Sequence, residues 1–227
     1  METSKNIRVL SMVLAAVFSL AAMIGAYRTI GMAPVVIVGG SSVIGFLLWT
    51  RTYLRRPLPP EVILPPFLLT VAALELHMAE EYLSGFGPAM SRVFDISWTE
   101  RSFLIFFAFV GPSLYALTAL GLYKRVPLAG FMACFLFIGP GVAELTHFIF
   151  PLLMPAIAPD DPATISQAVS NGRFVADMPN YWFRTTATYY FPGLYTAVLP
   201  MIPGIWAIVR AVRGARRARE AAPAAAL

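Results

Sequence analysis

The sequence predicts an all-α membrane protein, a bundle of about six transmembrane helices with both termini in the cytoplasm. Its composition leads to this fold class, because 58% of the 227 residues are hydrophobic and only 13% are charged. A soluble domain carries about 25% charged residues. A chain of this length cannot hide so much apolar surface from water, so the bilayer must be its solvent.

Six apolar segments are long enough to cross a bilayer, since a spanning helix needs about 20 mostly apolar residues. The predicted spans are Val9–Tyr27, Met32–Thr50, Ile63–Ser84, Ser102–Tyr123, Val126–Pro155 and Tyr189–Val212. We interpret the first as an anchor and not a signal peptide, because its apolar run is long and another span follows Arg28 at once. The fifth contains Pro140, Pro151 and Pro155 and is expected to kink.

The basic residues orient these spans. Twelve of the 17 Lys and Arg residues lie before the first span, between the second and third, between the fourth and fifth, and after the sixth; five lie in the other connections. Cytoplasmic loops carry the excess of Lys and Arg, so both termini are expected in the cytoplasm. The long loop Ala156–Thr188 is then outside, either as an ordered lid or as a loose loop.

The ends of the chain and its cysteine content limit the partners. Residues 1–212 are predicted to form one transmembrane domain, and residues 213–227 a basic and then Ala-rich cytoplasmic tail without fixed structure. The net charge of +5 comes largely from arginines directly after the last span, which indicates membrane lipid as the partner and not nucleic acid. The single cysteine, Cys134, excludes disulfides and thiolate metal clusters.

Ionisable residues occur at membrane depth in two spans, where each costs a few kcal/mol or more. The third span carries four and the fifth carries two, including both histidines of the chain: Glu75, His77, Glu80, Glu81, Glu144 and His147. Both groups fall in the outer half of the membrane in the predicted topology. Their two faces are therefore expected to meet there, with the two imidazoles less than about 8 Å apart.

Helical spacing divides these residues into partners. Positions three or four apart share a helix face, so His77 lies beside Glu80 and Glu81, and Glu144 lies beside His147. Glu75 points about 160° away from His77 by the same period, which makes its membership of the group less certain. The run from Tyr189 to Tyr195, at the start of the sixth span, is interpreted as part of an aromatic belt.

Glu and His residues at this spacing on facing helices are how helical bundles build carboxylate metal sites. We therefore predict a divalent metal, zinc or iron, held by His77, Glu81, Glu144 and His147. Glu80 and Glu75 are the predicted catalytic carboxylates that would move a proton. Three other interpretations stay open: a structural hydrogen-bond network, glutamates solvated at the interface, and a metal-free proton relay.

The segment His77-Met78-Ala79-Glu80-Glu81 resembles the bacterial membrane family named for its H-x-x-E-E motif. Glu144–His147 with Phe150-Pro151 is similar to that family's second polar helix, and Gly193–Ala197 with Pro200 to its last helix. The resemblance covers about Ile63 to Val212. It implies the bacterial inner membrane as location and the His/Glu residues as the functional centre, and it implies no reaction, since the family's function is unknown.

Two functional hypotheses follow from these residues. The first is a membrane-embedded metalloenzyme that acts on a lipid or another apolar small molecule entering from the outer leaflet. The second is a transporter or a proton or ion pathway that uses the same buried residues. The sequence shows no repeat between its halves, which disfavours a transporter. A structural membrane partner without catalysis is the third alternative.

The predicted topology can be checked with reporter fusions. Fusions at Arg55, at Lys124 and at the C-terminus are expected to report cytoplasm, because all three lie in the connections rich in basic residues. A fusion in the Ala156–Thr188 loop is the matched control and is expected to report the outside. An external signal at any of the first three positions would contradict the span count.

Overall fold

The computed structural model describes residues 2–94, 96, 98–153, 168–170, 173–176 and 189–220. Six helical segments within these ranges are long and apolar enough to span a membrane, which confirms the predicted multi-pass helical bundle. Their bounds are Lys5–Thr29, Met32–Thr52, Pro60–Leu83, Glu100–Tyr123, Pro127–Leu153 and Val198–Ala218. The first five agree with the predicted spans to within a few residues at each end.

The first three spans are uninterrupted α-helices: α1 (Lys5–Thr29), α2 (Met32–Thr52) and α3 (Pro60–Leu83). Ser4 caps α1, since its hydroxyl accepts a hydrogen bond from the Ile7 N–H. α3 begins at Pro60, and proline suits the first turn of a helix because its φ angle is already helical. Its missing N–H costs nothing there, since the N–H groups of a first turn have no partner within the helix. A short helix absent from the sequence prediction, α4 (Phe86–Phe94), follows α3 after Gly85.

The fourth and fifth spans change helix type along their length. The fourth consists of α5 (Glu100–Leu104), a π-helical segment (Ile105–Val110) and α6 (Gly111–Tyr123). The fifth consists of α7 (Pro127–Val142), a 3₁₀ segment (Ala143–Phe148) and α8 (Phe150–Leu153). The irregularity expected from the prolines of the fifth span is thus a change to 3₁₀ geometry three residues after Pro140, which has no N–H to donate within the helix.

The last part of the chain differs from the predicted bounds. A short antiparallel ribbon pairs β1 (Ala168–Ser170) with β2 (Arg173–Ala176), with Ser170 opposite Arg173. The sixth helix, α9 (Val198–Glu220), begins nine residues after the predicted start and continues past the predicted boundary at 212. The acidic and aromatic residues proposed for an outer lid, Asp160, Asp161, Asp177, Tyr181 and Trp182, lie outside the described residues, as do residues 221–227.

The two helices with ionisable residues occupy the centre of the bundle. About half of the fifth span and 44% of the third are buried, against 11% of the first, so the apolar helices α1 and α2 leave more of their surface to lipid. α9 packs against both α3 and α7. Where α7 and α9 cross, Gly141 and Gly204 meet so closely that a Cβ on Gly204 would lie 2.4 Å from the Gly141 Cα. This close approach brings α9 to the polar faces of both central spans.

Two apolar clusters fill the interior of the bundle. The larger draws mainly on α2, α3, α7 and α9, with Trp49, Phe67, Phe131 and Phe137 fully buried, and also includes Ala15 of α1 and Leu122 of α6. The second lies where α3 ends and α4 begins, and its members include Phe86, Trp98, Phe150 and Phe191. Glu75, His77, Glu80 and Glu81 lie near the end of α3, on the same stretch of helix as Leu74 and Met78 of the second cluster.

Candidate metal centre

Four of the six predicted site residues converge on one point in the structure. His77 and Glu81 come from α3, and Glu144 and His147 come from the 3₁₀ segment of the fifth span. One nitrogen or oxygen atom of each side chain lies within 4.8 Å of those of the other three. The ring centroids of the two histidines are 4.8 Å apart, which confirms the predicted meeting of the two polar faces.

The local helix geometry places each pair on one face. His77 and Glu81 are four residues apart on an α-helix, so their side chains lie side by side. Glu144 and His147 are three residues apart in a 3₁₀ segment, which has three residues per turn, so they project in the same direction. In a continued α-helix the same two residues would diverge by about 60°. The 3₁₀ geometry therefore brings both groups to face α3.

The polar atoms alternate between nitrogen and oxygen. His77 Nε2 lies 3.1 Å from Glu144 Oε2 and 3.4 Å from Glu81 Oε1, and His147 Nε2 lies 2.9 Å from Glu81 Oε1. His147 Nδ1 lies 3.0 Å from Glu144 Oε2, but without hydrogen-bond geometry, so this buried nitrogen has no hydrogen-bond partner in the described part of the chain. Every contact joins an imidazole to a carboxylate.

These separations fit the ligand shell of a small cation. In a tetrahedral site with bonds of about 2.0–2.1 Å, neighbouring ligand atoms lie about 3.3–3.4 Å apart. The four imidazole–carboxylate separations of the group, 2.9 to 3.4 Å, are at or below that spacing, and the four donor atoms all lie within 4.8 Å of one another. Two imidazoles and two carboxylates form a donor set acceptable to zinc and to iron. The residues present therefore fit a divalent metal.

Burial makes charge balance a requirement at this site. His77 is 0% exposed, and His147 and Glu81 are nearly so, while the Glu144 side chain is 14% exposed. Two carboxylates together with two neutral imidazoles carry a charge of −2, which is costly away from water. Either a divalent cation or protonation of both imidazoles neutralises that charge. Glu144 is the least buried member of the group.

Thr196 determines which nitrogen of His77 faces the centre. The Thr196 hydroxyl lies 2.5 Å from Glu80 Oε2 and 3.0 Å from His77 Nδ1. Since the carboxylate only accepts, the single hydroxyl proton is donated to Glu80, and the Thr196 oxygen accepts from His77 Nδ1–H. This arrangement makes Nε2 the His77 nitrogen that faces the carboxylates: it donates to Glu144 Oε2 when the imidazole is protonated, and it offers a lone pair to a metal when the imidazole is neutral. A metal-binding histidine commonly donates its other N–H in this way.

Glu80, predicted as a catalytic carboxylate, lies outside the group of four. Its two oxygens accept hydrogen bonds from the Tyr190 hydroxyl, the Tyr195 N–H, the Thr196 N–H and the Thr196 hydroxyl. Burial raises the pKa of Tyr190, which keeps the phenol protonated as a donor. Glu80 thus holds the chain that leads into α9, where its negative charge also suits the helix N-terminus.

Glu75 also lies apart from the group, as its helical position predicts. Its Oε1 atom is buried and has no hydrogen-bond partner within the described residues. In the structure this carboxyl is a neighbour of the Tyr115 side chain in the fourth span. The two predicted catalytic carboxylates therefore differ. Glu80 accepts four hydrogen bonds, whereas Glu75 Oε1 accepts none from the described residues.

Gly193 closes the side of the centre formed by the segment before α9. Its φ angle of +89° is in the left-handed region that favours glycine. A Cβ at this position would lie 2.7 Å from His147 Nε2 and 2.8 Å from His77 Cε1. The backbone at Gly193 therefore lies so close to both imidazoles that a residue with a Cβ would collide with them.

Aromatic rings cover the centre where α3 ends. Phe86, the first residue of α4, stacks on the His147 ring with centroids 5.4 Å apart and planes inclined by 23°. Phe150 and Phe191 pack against the same cluster, with their ring centroids 4.9 Å apart. These rings exclude water from the histidines, which strengthens every electrostatic interaction inside the site.

Sequence reasoning missed three residues that support the centre: Tyr190, Gly193 and Thr196. Tyr190 and Phe191 are buried, so the aromatic-belt interpretation suits only the exposed Tyr189 and Tyr195 in this run. Tyrosine, glycine and threonine are common near the ends of membrane spans, so their presence there does not indicate a polar site. The one signal was the resemblance of Gly193–Ala197 to the last helix of the H-x-x-E-E family.

Fold and site together define the class of protein: a multi-pass helical membrane protein with a buried group of two histidines and two glutamates able to hold a metal. No protein-family model matches the chain, no curated protein is significantly similar to it in sequence, and no solved structure is significantly similar to it. The resemblance to the H-x-x-E-E family stays a prediction.

The close contact at Gly193 predicts the outcome of a substitution. Gly193→Ala is expected to destabilise the protein by about 2–4 kcal/mol, because it combines a positive φ with a collision against two imidazoles. Gly31→Ala is the matched control, since Gly31 also has a positive φ but its Cβ would meet only the Ile96 side chain at 3.2 Å. Thermal unfolding in mild detergent measures both; a Gly193→Ala protein as stable as the wild type would contradict the close contact.

Proposed function

We propose that this protein is a metalloenzyme of the bacterial inner membrane, with zinc or iron bound by His77, Glu81, Glu144 and His147. The observation that supports a metal most directly is the convergence of four donor atoms from two facing spans at ligand-shell spacing. A hydrogen-bond network with a purely structural role does not require four donor atoms to converge on one point. One buried atom of the group, Nδ1 of His147, has no hydrogen-bond partner within the described residues, whereas a self-contained structural network would satisfy it.

The environment of the centre supports an apolar substrate such as a lipid. The centre lies within membrane-spanning segments, and aromatic rings cover it. Glu144 is its least buried member, and Leu145 and Ile149 beside it in sequence are about half exposed to the surroundings of the helix. An apolar molecule would therefore approach along the 3₁₀ segment. When bound, the metal supplies Lewis-acid chemistry or, if it is iron, oxygen chemistry.

The chain's own carboxylates divide the remaining roles. Glu80 is a positioning residue in this proposal, because its oxygens are engaged by the segment that leads into α9. Glu75 is the better of the two predicted carboxylates for carrying a proton, since its buried oxygen has no hydrogen-bond partner within the described residues. His77 is held by Thr196 through Nδ1, so Nε2 is the nitrogen that faces the centre and would bind the metal.

A proton or ion pathway is the second candidate, and one observation favours it. The contacts form an alternating ring of acid and base, in which Glu81 and Glu144 each touch both histidines. Such a ring is charge-balanced without metal when both imidazoles are protonated, and alternating acids and bases can relay protons through a membrane. Metal content separates this candidate from the metalloenzyme.

Metal analysis of the protein purified in mild detergent tests the proposal. The wild type is expected to hold about one metal per chain, and both His77→Ala and His147→Ala are expected to lose it, because each removes one of four ligands from a different span. Glu75→Ala is the control in the same helix and is expected to retain metal. Size-exclusion profiles establish that the variants are folded.

Two results would contradict this expectation. Full metal occupancy in His147→Ala, together with loss of metal in His77→Ala, would show that the 3₁₀ segment has only a structural role. The assignment of Glu144 and His147 as ligands would then be wrong. A folded wild type that binds no zinc or iron, even after addition of either metal, would favour the proton pathway.

Thr196 provides a test of the positioning role. Thr196→Val removes the acceptor of His77 Nδ1–H and is expected to weaken metal binding about 10- to 100-fold, the usual effect of losing such a partner. Thr196→Ser keeps the hydroxyl and should bind metal nearly as tightly as the wild type. Competition against a chelator of known affinity measures the difference. Equal affinities for the valine and serine variants would show that the hydroxyl does not orient His77.

A further inference from the structure

The end of the bundle opposite the His/Glu centre contains a cleft of about 680 Å³. At this end α2 and α9 terminate and the chain begins, whereas the centre lies in the last two turns of α3, which starts here. The residues that line the cleft include Glu2, Arg51, Arg55, Arg56, Ala215 and Ala218. The cleft is therefore a separate feature, built from the ends of helices that the centre does not use.

Among the described residues that line this cleft, basic side chains outnumber acidic ones. Three arginines line it against one glutamate, and Glu2 also lies 4.0 Å from Arg8. Arg56 donates to the Ala218 carbonyl at 3.1 Å, which ties α9 to the loop after α2. Neither Arg55 nor Arg56 forms an ion pair with a carboxylate in the part of the chain that the structure describes. Three guanidinium groups that line one cleft together favour an anion there.

We propose that this cleft binds the phosphate group of an anionic phospholipid. Arginine presents paired N–H groups whose geometry matches two phosphate oxygens. The ends of α2 and α9 are C-terminal, where the helix dipole disfavours an anion, so the attraction must come from the arginine side chains. Basic clefts between transmembrane helices at the cytoplasmic side are typical sites for lipid headgroups.

The surface just below the cleft favours a lipid over free phosphate. Leu47 lies one turn before Arg51 in α2 and is 46% exposed, and Val212 lies about one turn before Ala215 in α9 and is 48% exposed. Both side chains are at the level where acyl chains continue from a headgroup. A lipid would therefore contact charged residues with its phosphate and apolar residues with its chains, whereas free phosphate would use the arginines alone.

Native mass spectrometry of the full chain in mild detergent, titrated with phosphatidylglycerol or phosphatidylcholine, tests this site. The wild type is expected to prefer phosphatidylglycerol. Because each arginine at an anionic surface contributes roughly a fivefold preference, the double variant Arg51→Gln with Arg55→Gln should reduce that preference about 25-fold. Arg56 is left unchanged because it holds α9.

A matched control separates a built site from diffuse attraction. Arg213→Gln with Arg217→Gln removes the same charge from exposed positions of α9 that do not line the cleft, and it is expected to lower the preference less than threefold. If the glutamine pair at the cleft fails to fold, Arg51→Lys with Arg55→Lys keeps the charge. This lysine pair should still bind phosphatidylglycerol, several-fold more weakly than the wild type.

Three results would overturn the proposal. If both double glutamine variants lost the same preference for phosphatidylglycerol, the lipid would be attracted by the overall charge of this end of the bundle and not by the cleft. A wild type without preference for phosphatidylglycerol would show that the cleft binds no anionic headgroup. Displacement of the lipid by an equal concentration of inorganic phosphate would show that the cleft recognises a free anion.

Discussion

The fold depends on one constraint: four ionisable side chains are buried within membrane-spanning helices. Each costs a few kcal/mol or more in hydrocarbon unless an opposite charge compensates it. The compensation comes from the facing segment, since Glu81 touches His147 and Glu144 touches His77. The third and fifth spans must therefore turn these faces toward each other, and this sets the rotation of both central helices.

A second carboxylate extends that constraint to the last span. Glu80 accepts hydrogen bonds from the backbone of Tyr195 and Thr196, so the segment before α9 is held against α3. Prolonging α9 back to the predicted start would remove the left-handed turn at Gly193. That turn brings backbone against both imidazoles. One glutamate thus links the position of the sixth helix to the geometry of the candidate metal centre.

The two ends of the bundle have different electrostatic character. The centre in the last two turns of α3 balances acids against bases and is closed by aromatic rings. At the opposite end, the described residues that line the cleft include three arginines and one glutamate. In a membrane the first arrangement suits a small cation or protons in a dry site, and the second suits the anionic headgroup layer. Both follow from the same rule, that charge in a membrane protein needs a compensating charge nearby.

The sequence by itself determined the class of fold and the main participants of the site. Length and apolar composition specify six spans, because each helix satisfies its own backbone hydrogen bonds in lipid, whatever its neighbours are. The two histidines and the glutamates stand out for the same reason, since isolated charge at membrane depth is costly. Four of the six predicted site residues, His77, Glu81, Glu144 and His147, converge as their spacing indicates.

Only the tertiary structure decided how the remaining residues divide their roles. Glu80 and Glu81 are adjacent in sequence and both buried, yet one is held by the segment before α9 and the other touches both histidines. The partners that separate them, such as Thr196, are more than 100 residues away. Local periodicity specifies the face on which a side chain lies, but the identity of the donor it meets depends on long-range packing, which no local pattern contains.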